Sequence, residues 1–504
     1  MNQNFFDEVY NCAIEAKENV FLETLTGKQY SYQDLIDITG KIGSFLKDLG
    51  VSPGDRVAVQ AEKSAECFLI YLGVMRMGAI YLPLNISYTA REVKYFLTDA
   101  EPSLLICSVQ KKQENSSSIN KWVRLGALTL EEDGSGEFYS SAMKSSSDCQ
   151  ICEKEPDDIA IIMYTSGTTG QPKGSMLTHK NLITNARSLT SLWKFVRTDV
   201  LLHALPIFHA HGLFISTHCA LLSQSKIIFL SKFDLQAVVE KLPQATVMMG
   251  VPTFYTRLID SPKFNRALIN NMRLFISGSA PLLEETSQRF TEITGHVILE
   301  RYGMTESAII SSNPYFEKRK YGSVGKAIEG VEIRITNDDG KILSADDIGH
   351  IQIKGSAIMK GYWRKEDKTK AEYTEDGWFR TGDLGKLDAD DYLYISGRHK
   401  DLIISGGYNV YPKEVETIID ELEGVVESAV VGLPHHDFGE AVTAVVIIEP
   451  DSTLTENKII SAVKKVAASY KIPKRVIFLE LLPRNAMGKV VKASIREKYL
   501  SLYS

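Results

Sequence analysis

Short apolar runs of strand length alternate with stretches of helical pattern along most of the chain. The runs at 57–60, 80–83, 158–163, 227–230, 246–250 and 273–277 predict strands, and 64–77, 235–242 and 282–293 predict helices. Strand–helix alternation sustained over about 400 residues predicts an α/β fold, parallel sheets covered by helices. Two polar stretches, 110–118 and 131–148, are rich in Ser, Glu, Gly and Lys and read as surface loops. Near Gly397 the pattern restarts. Strands are expected at 425–433 and 441–448 and helices at 412–421, 456–469 and after 490, enough for a small α+β unit. The join at 396–401 is short, polar and contains glycine, so it reads as a plain linker or as a hinge. No repeat of fixed period is present.

With 504 residues the chain exceeds what one hydrophobic core serves, so at least two domains are expected. Hydrophobic residues at 44% and charged residues at 24% fit an ordinary globular protein, and the net charge of −6 argues against a nucleic-acid partner held by bulk electrostatics. Asp7 and Glu8 with no apolar run after them argue against a secretory signal. The longest apolar stretch, 67–84, is broken by Arg76 and Gly78, so no transmembrane segment is expected. Six cysteines in so long a chain suggest a reducing compartment, the cytoplasm, and the lone Cys149–Cys152 spacing reads as two free thiols. Oligomeric state is not specified by the sequence.

The most informative segment runs from Tyr164 to Gly174. It is expected to follow a strand and to precede a helix starting near Thr178. Gly167, Gly170 and Gly174 let backbone N–H groups turn inward. Thr165, Ser166, Thr168 and Thr169 add hydroxyls, and Lys173 adds a positive charge. That composition suits a polyphosphate. The spacing is neither a Walker A loop nor GxGxxG. Four histidines lie between His203 and His218, without carboxylates at ligand spacing, so a zinc site there is disfavoured.

The loop resembles the signature of the adenylate-forming superfamily of acyl-CoA synthetases, luciferases and peptide-synthetase adenylation domains. Further motifs recur in order over nearly the whole chain: Tyr302-Gly303-Met304-Thr305-Glu306, Thr381-Gly382-Asp383, Gly397-Arg398-His399-Lys400-Asp401 and Asn485-Ala486-Met487-Gly488-Lys489. The resemblance implies a large AMP-binding and acyl-binding domain, 1–398, and a small mobile domain, 399–504, carrying a catalytic lysine. It implies ATP, Mg²⁺ and coenzyme A as cofactor and co-substrates, and a small carboxylic acid as substrate.

The same resemblance distributes the roles. Thr165, Ser166, Gly167, Thr168, Thr169 and Gly170 hold the phosphates, and Lys173 orders that loop. Glu306 and Thr165 bind Mg²⁺. Ser279, Ala280, Pro281, Tyr302, Gly303, Met304 and Thr305 surround the adenine and α-phosphate. Asp383 and Arg398 hold the ribose. Lys489 bridges the acid and the α-phosphate, and Lys400 is the hinge. Gly406 and Gly407 line the coenzyme A path. His209 separates the acid from the thiol entrance, and His211 is expected to be structural.

The acid itself is read from one departure. Where acyl-CoA synthetases usually have Gly before the Tyr of YGxTE, this chain has Arg301. A guanidinium in an apolar pocket is stranded unless the substrate brings a second carboxylate. The alternative is an Arg301 that faces outward and pairs with Glu300. Arg257 and Ser279 are expected beside Arg301, and several segments are similar to malonyl-CoA synthetases. Malonate is therefore the expected acid, with a fatty or aryl acid as alternative. A free-standing adenylation module that loads a carrier protein, and a non-catalytic nucleotide-binding protein, are readings of other classes.

Overall fold

The computed structural model describes residues 2–165, 172–405, 408–435, 438–467, 469–485 and 488–503, with the backbone alone at 408 and 409. Four sheets appear among the described residues. The nine-stranded sheet has a parallel centre, in the spatial order Leu299–Met304, Leu274–Ser277, Val247–Gly250, Val200–His203, Lys226–Phe229 and Val20–Thr24. The seven-stranded sheet has parallel neighbours Ile159–Thr165, Ile80–Pro83, Arg56–Gln60, Leu104–Cys107 and Ala127–Thr129. A four-stranded antiparallel sheet joins Val331–Thr336, Gly349–Gly355, Phe379–Leu387 and Leu393–Arg398. A five-stranded sheet near the C-terminus is built around Val425–His435 and Gly439–Ile448 and has its own cores.

Helix Ala65–Arg76 shows how the two large sheets are joined. Ser64 caps it by accepting from the Cys67 N–H, and every residue of the helix is buried. Such a helix must be covered on all sides. Phe68 meets Phe229 of the nine-stranded sheet at 5.8 Å, and Tyr71 meets Tyr81 of the seven-stranded sheet at 4.9 Å, between ring centroids. One continuous hydrophobic core results.

The alternating strands and helices expected from the pattern are present, with Ile80–Pro83 and the start of Val425–His435 at the positions expected. Two expectations are corrected, and one strand not expected appears. The stretch 110–118 carries helices Val109–Glu114 and Ser116–Trp122, and 131–148 carries helix Glu137–Ala142. Their polarity reflects short helices with few buried side chains. The signature loop precedes the helix expected near Thr178, but a further strand comes first. It connects Ile159–Thr165 to an antiparallel partner, Lys173–Thr178, with Thr165 opposite Lys173; helix His179–Leu192 starts only after that second strand, capped by Thr178.

The starts of three central strands are pinned together. Asp199, just before Val200–His203, accepts from Arg273 Nε at 2.7 Å and Nη2 at 2.6 Å, and from Thr246 Oγ1 at 2.7 Å. Arg273 and Thr246 precede the two neighbouring strands, and Arg273 also donates to the Trp193 and Lys194 carbonyls. Burial raises the Asp199 pKa, but the bonds from Arg273 and Thr246 outweigh it and hold the carboxyl below its ordinary value. The stabilisation is therefore complete above the unfolded-state value of about 3.9 and is lost as pH falls through the lower folded-state value. Asp199→Asn should cost about 2–4 kcal/mol in urea unfolding at neutral pH, because it leaves Arg273 short of its partner. The variant should show less of the acid-induced loss than the parent.

Candidate active site

The opposite, carboxyl ends of the same parallel strands carry many of the candidate side chains, which is where open α/β sheets place their ligands. Residues 203–215 follow one strand, 250–252 a second, 278–281 a third, and Arg301 to Glu306 end the fourth.

In the signature loop, Ser166, Gly167, Thr168, Thr169 and Gly170 lie outside the described residues. Thr165 Oγ1 donates to Glu306 Oε1 at 3.2 Å, and the Tyr362 hydroxyl donates to the same oxygen at 3.2 Å. Glu306 is buried, and burial raises its pKa against those bonds. Lys173 is also buried, 2.9 Å from Glu372 and 4.4 Å from the centre of the Tyr362 ring. It is held at the base of the loop by partners that the motif alone did not reveal.

A second cluster forms where the small sheet's loop meets the four-stranded sheet. Asp383 and Arg398 face each other across two antiparallel strands, with Arg398 Nε 3.4 Å from Asp383 Oδ1. The Tyr302 hydroxyl donates to the other Asp383 oxygen. Gly303 sits at a bulge, where a Cβ would lie 2.0 Å from the Ala308 carbonyl oxygen. Lys489 reaches this neighbourhood. Its pKa is pushed down to about 8, chiefly by burial and then by Arg398, against the attraction of Asp383 and Asp401. Gly488 before it has φ +73°, and the position its Cβ would take is 3.7 Å from Thr253 Oγ1 in helix Pro252–Ile259. Lys400 is exposed in the turn His399–Asp401, whose Asp401 pairs with Arg496 at 2.9 Å. Gly406 and Gly407 lie outside the described residues.

The third cluster is polar and short of partners. Arg301 is 4% exposed, so it does not face outward, and no ion pair joins it to Glu300 among the described residues. Its Nε and Nη2 have no hydrogen-bond partner there. Burial pushes its pKa down to about 9. The guanidinium lies against Gly278, where a Cβ would approach its atoms to 2.4–2.6 Å. Next to Gly278, Ser279 adopts φ +71°, a strained conformation for a residue with a side chain, and its Oγ lies 3.2 Å from His211 Nδ1. The other ring nitrogen of His211 is buried without a partner among the described residues. His211 is pushed far towards the neutral form by burial, then by Arg301. His209 is lowered to about 4 by burial.

Two sequence expectations change here. Arg257 does not join the cluster: helix Pro252–Ile259 buries Phe254, Tyr255, Leu258 and Ile259, which leaves Arg257 exposed on the other face, 5.8 Å from the Phe233 ring. His211, expected to be structural, has its unpaired nitrogen beside Arg301. The available signal was the two-residue spacing from His209. His203 and His218 turn elsewhere, to Lys63 and Gly212 and to Tyr71 respectively.

A buried guanidinium with two free N–H groups, a neutral imidazole and a hydroxyl can accept a small carboxylate. Gly278→Ala should push the guanidinium aside. Calorimetry with a small dicarboxylate should then show binding weakened by about 10-fold or more, equivalent to ~1.4 kcal/mol.

The model of the AMP-binding enzyme family matches residues 12–363, and that of the AMP-binding enzyme C-terminal domain matches 414–489. A malonate–CoA ligase of Arabidopsis thaliana is 34% identical over 94% of this chain and 85% of its own length. A long-chain-fatty-acid–CoA ligase of Bacillus subtilis is 32% identical over 94% and 90%. The crystal structure of ATP-bound MatB from Rhodopseudomonas palustris superposes with a TM-score of 0.98 at 46% identity, covering both chains completely. The family models together cover most of the 504 residues, and this chain belongs to the AMP-binding enzyme family.

Proposed function

We propose that the chain is an ATP-dependent acid–thiol ligase whose acid is malonate. A malonate carboxylate oxygen attacks the α-phosphorus of ATP and pyrophosphate leaves. The thiol of coenzyme A then attacks the carbonyl of the malonyl-adenylate and AMP leaves. The observation that carries the choice of acid is Arg301, buried near Ser279 and His211 with Nε and Nη2 unpartnered among the described residues. The second carboxylate of malonate matches that need, and the name of the A. thaliana relative points the same way. A fatty acid is the second reading, favoured by the B. subtilis relative. Its apolar chain would leave the guanidinium stranded at a cost of several kcal/mol.

In this reading Thr165 and Ser166, Gly167, Thr168, Thr169 and Gly170 hold the phosphates, with Lys173 ordering the loop. Ser279, Ala280, Pro281, Tyr302, Gly303, Met304 and Thr305 enclose the adenine and α-phosphate, and Asp383 and Arg398 take the ribose hydroxyls. His209 stands between the acid and the thiol. Glu306 fits a Mg²⁺ ligand: it is a buried acid with hydroxyl neighbours and no cationic partner among the described residues, so a hard cation would restore its charge. Glu306 and Thr165 would hold the ion, which when bound neutralises phosphate charge. Lys489 offsets the repulsion between two anionic reactants. Rotation about Lys400 would then withdraw Lys489 and bring Gly406 and Gly407 to the thiol path, with the domains divided as 1–398 and 399–504. Six free cysteines support a reducing compartment, the cytoplasm. Among the described residues no helix is long and apolar enough to cross a membrane.

Lys489 must be protonated to act as a charge, and its pKa is lowered to about 8. Adenylate formation, followed by pyrophosphate exchange, should therefore fall as pH rises through about 8. Lys489→Ala should slow this half-reaction by a factor on the order of 10² or more. Given preformed acyl-adenylate, thioester formation should proceed at near the parental rate. Equal losses in both half-reactions would assign Lys489 a structural role.

For the acid, Arg301→Ala should lose roughly 30- to 5,000-fold in kcat/KM for malonate, the equivalent of ~2–5 kcal/mol, while activity on butyrate is no worse. Arg301→Lys should not restore it fully, because an ammonium lacks the planar fork. A parental enzyme that prefers butyrate or longer acids would refute malonate and leave the ligase chemistry intact.

A further inference from the structure

The four-stranded antiparallel sheet ends where the linker to the C-terminal unit begins, and three side chains with no part in the proposed chemistry meet there. Asp338 lies in the turn between Val331–Thr336 and Gly349–Gly355, His350 is the second residue of the latter strand, and His399 opens the turn after Leu393–Arg398. Asp338 Oδ1 is 2.7 Å from His350 Nε2, and the two imidazole rings have centroids 4.8 Å apart. One ligand atom from each of the three residues lies within 4.8 Å of the other two.

We propose that Asp338, His350 and His399 bind a divalent transition-metal cation of the Zn²⁺ class, and that the bound ion restrains the linker. Two imidazole nitrogens and one carboxylate oxygen suit a borderline cation such as Zn²⁺ or Co²⁺, whereas Mg²⁺ and Ca²⁺ prefer oxygen alone. Three protein ligands leave a fourth position for water. Ligand atoms around a tetrahedral ion with bonds of about 2.0–2.1 Å lie about 3.3 Å apart. Rotation of the exposed Asp338 and His399 side chains would open the 2.7 Å Asp338–His350 contact and close pairs as wide as 4.8 Å to that spacing, with His350, half-buried on its strand, as the fixed point. An ion pair between Asp338 and His350 explains two members of the group but not the placing of a second imidazole against the first. Binding uses neutral imidazoles and so removes the repulsion that two neighbouring imidazolium rings would feel.

The consequence for the linker follows from sequence position. His399 directly precedes Lys400. Tying its ring to a strand and a turn of the sheet fixes the peptide through which rotation must pass. This second part rests on the reading of Lys400 as the hinge. The ion would act after adenylation, as a brake on the change that admits the thiol.

The test uses the full chain, stripped of metal with a chelator and free of nucleotide, which would itself bind the ion. Titration with Co²⁺, followed by its visible absorption, and with Zn²⁺ by calorimetry should show one site with Kd at or below about 10 µM. His350→Ala and His399→Ala should each weaken it by about 10-fold or more, while His296→Ala should not. Absence of saturable binding, or binding unchanged in the first two variants, refutes the site and leaves an ion pair with a ring contact only. Saturating Zn²⁺ should then slow thioester formation from preformed acyl-adenylate in the parent but not in His399→Ala; the variant also controls for Zn²⁺ captured by the coenzyme A thiol. Binding without that difference refutes the brake. Lys400→Pro in the metal-free enzyme separates the two readings. If it leaves thioester formation intact, the hinge assignment fails; if it abolishes that step while Zn²⁺ has no effect, the hinge stands and the brake fails.

Discussion

The guanidinium of Arg301 is removed from water with no acid to pair with among the described residues, and much of the surrounding architecture is arranged around that fact. Desolvation lowers its pKa, and two of its nitrogens, Nε and Nη2, have no partner among the described residues. Only a glycine at 278 leaves it room, and Ser279 beside it holds a left-handed backbone that brings its hydroxyl to His211. These local penalties are tolerable because the strands beneath are held elsewhere, at their opposite ends, by Asp199 and Arg273. The rigid end of the sheet and the strained end serve one another: a stiff frame keeps an under-satisfied pocket from collapsing onto itself.

Lys489 presents the same physics with the sign of its neighbours mixed. Arg398 and Lys400 disfavour its charge while Asp383 and Asp401 favour it, and burial decides the balance. An ammonium near its midpoint in such surroundings gains most from an incoming anion. Its position, reached through Gly488 against Thr253, belongs to the loop of the C-terminal unit and not to the sheet that carries the other residues.

What could be read from the sequence was whatever burial writes into local pattern. The run at 80–83 is a fully buried strand and Ser64 is the cap of a fully buried helix, so both were legible. Polar segments misled because short helices such as Val109–Glu114 bury no side chain and leave no apolar periodicity. The second strand of the signature hairpin was missed because Lys173–Thr178 mixes charged, small and hydroxylated residues. Motif glycines and Glu306 could be recognised by resemblance, but partners distant in sequence, such as Glu372 for Lys173 or Tyr362 for Glu306, could not. Arg257 shows the limit of helix membership as evidence: the helix expected there is present, but the phase of its buried face turns that side chain outward.

The helix Ala65–Arg76, enclosed between the two large sheets, sets how this part of the chain comes apart. Neither sheet can shed its partner without baring a segment that has no polar face to offer water. The two sheets should consequently open and close together, as one cooperative unit in hydrogen exchange, although their topologies are separately complete. The small C-terminal sheet, with cores of its own, is outside that bargain and free to follow a different clock.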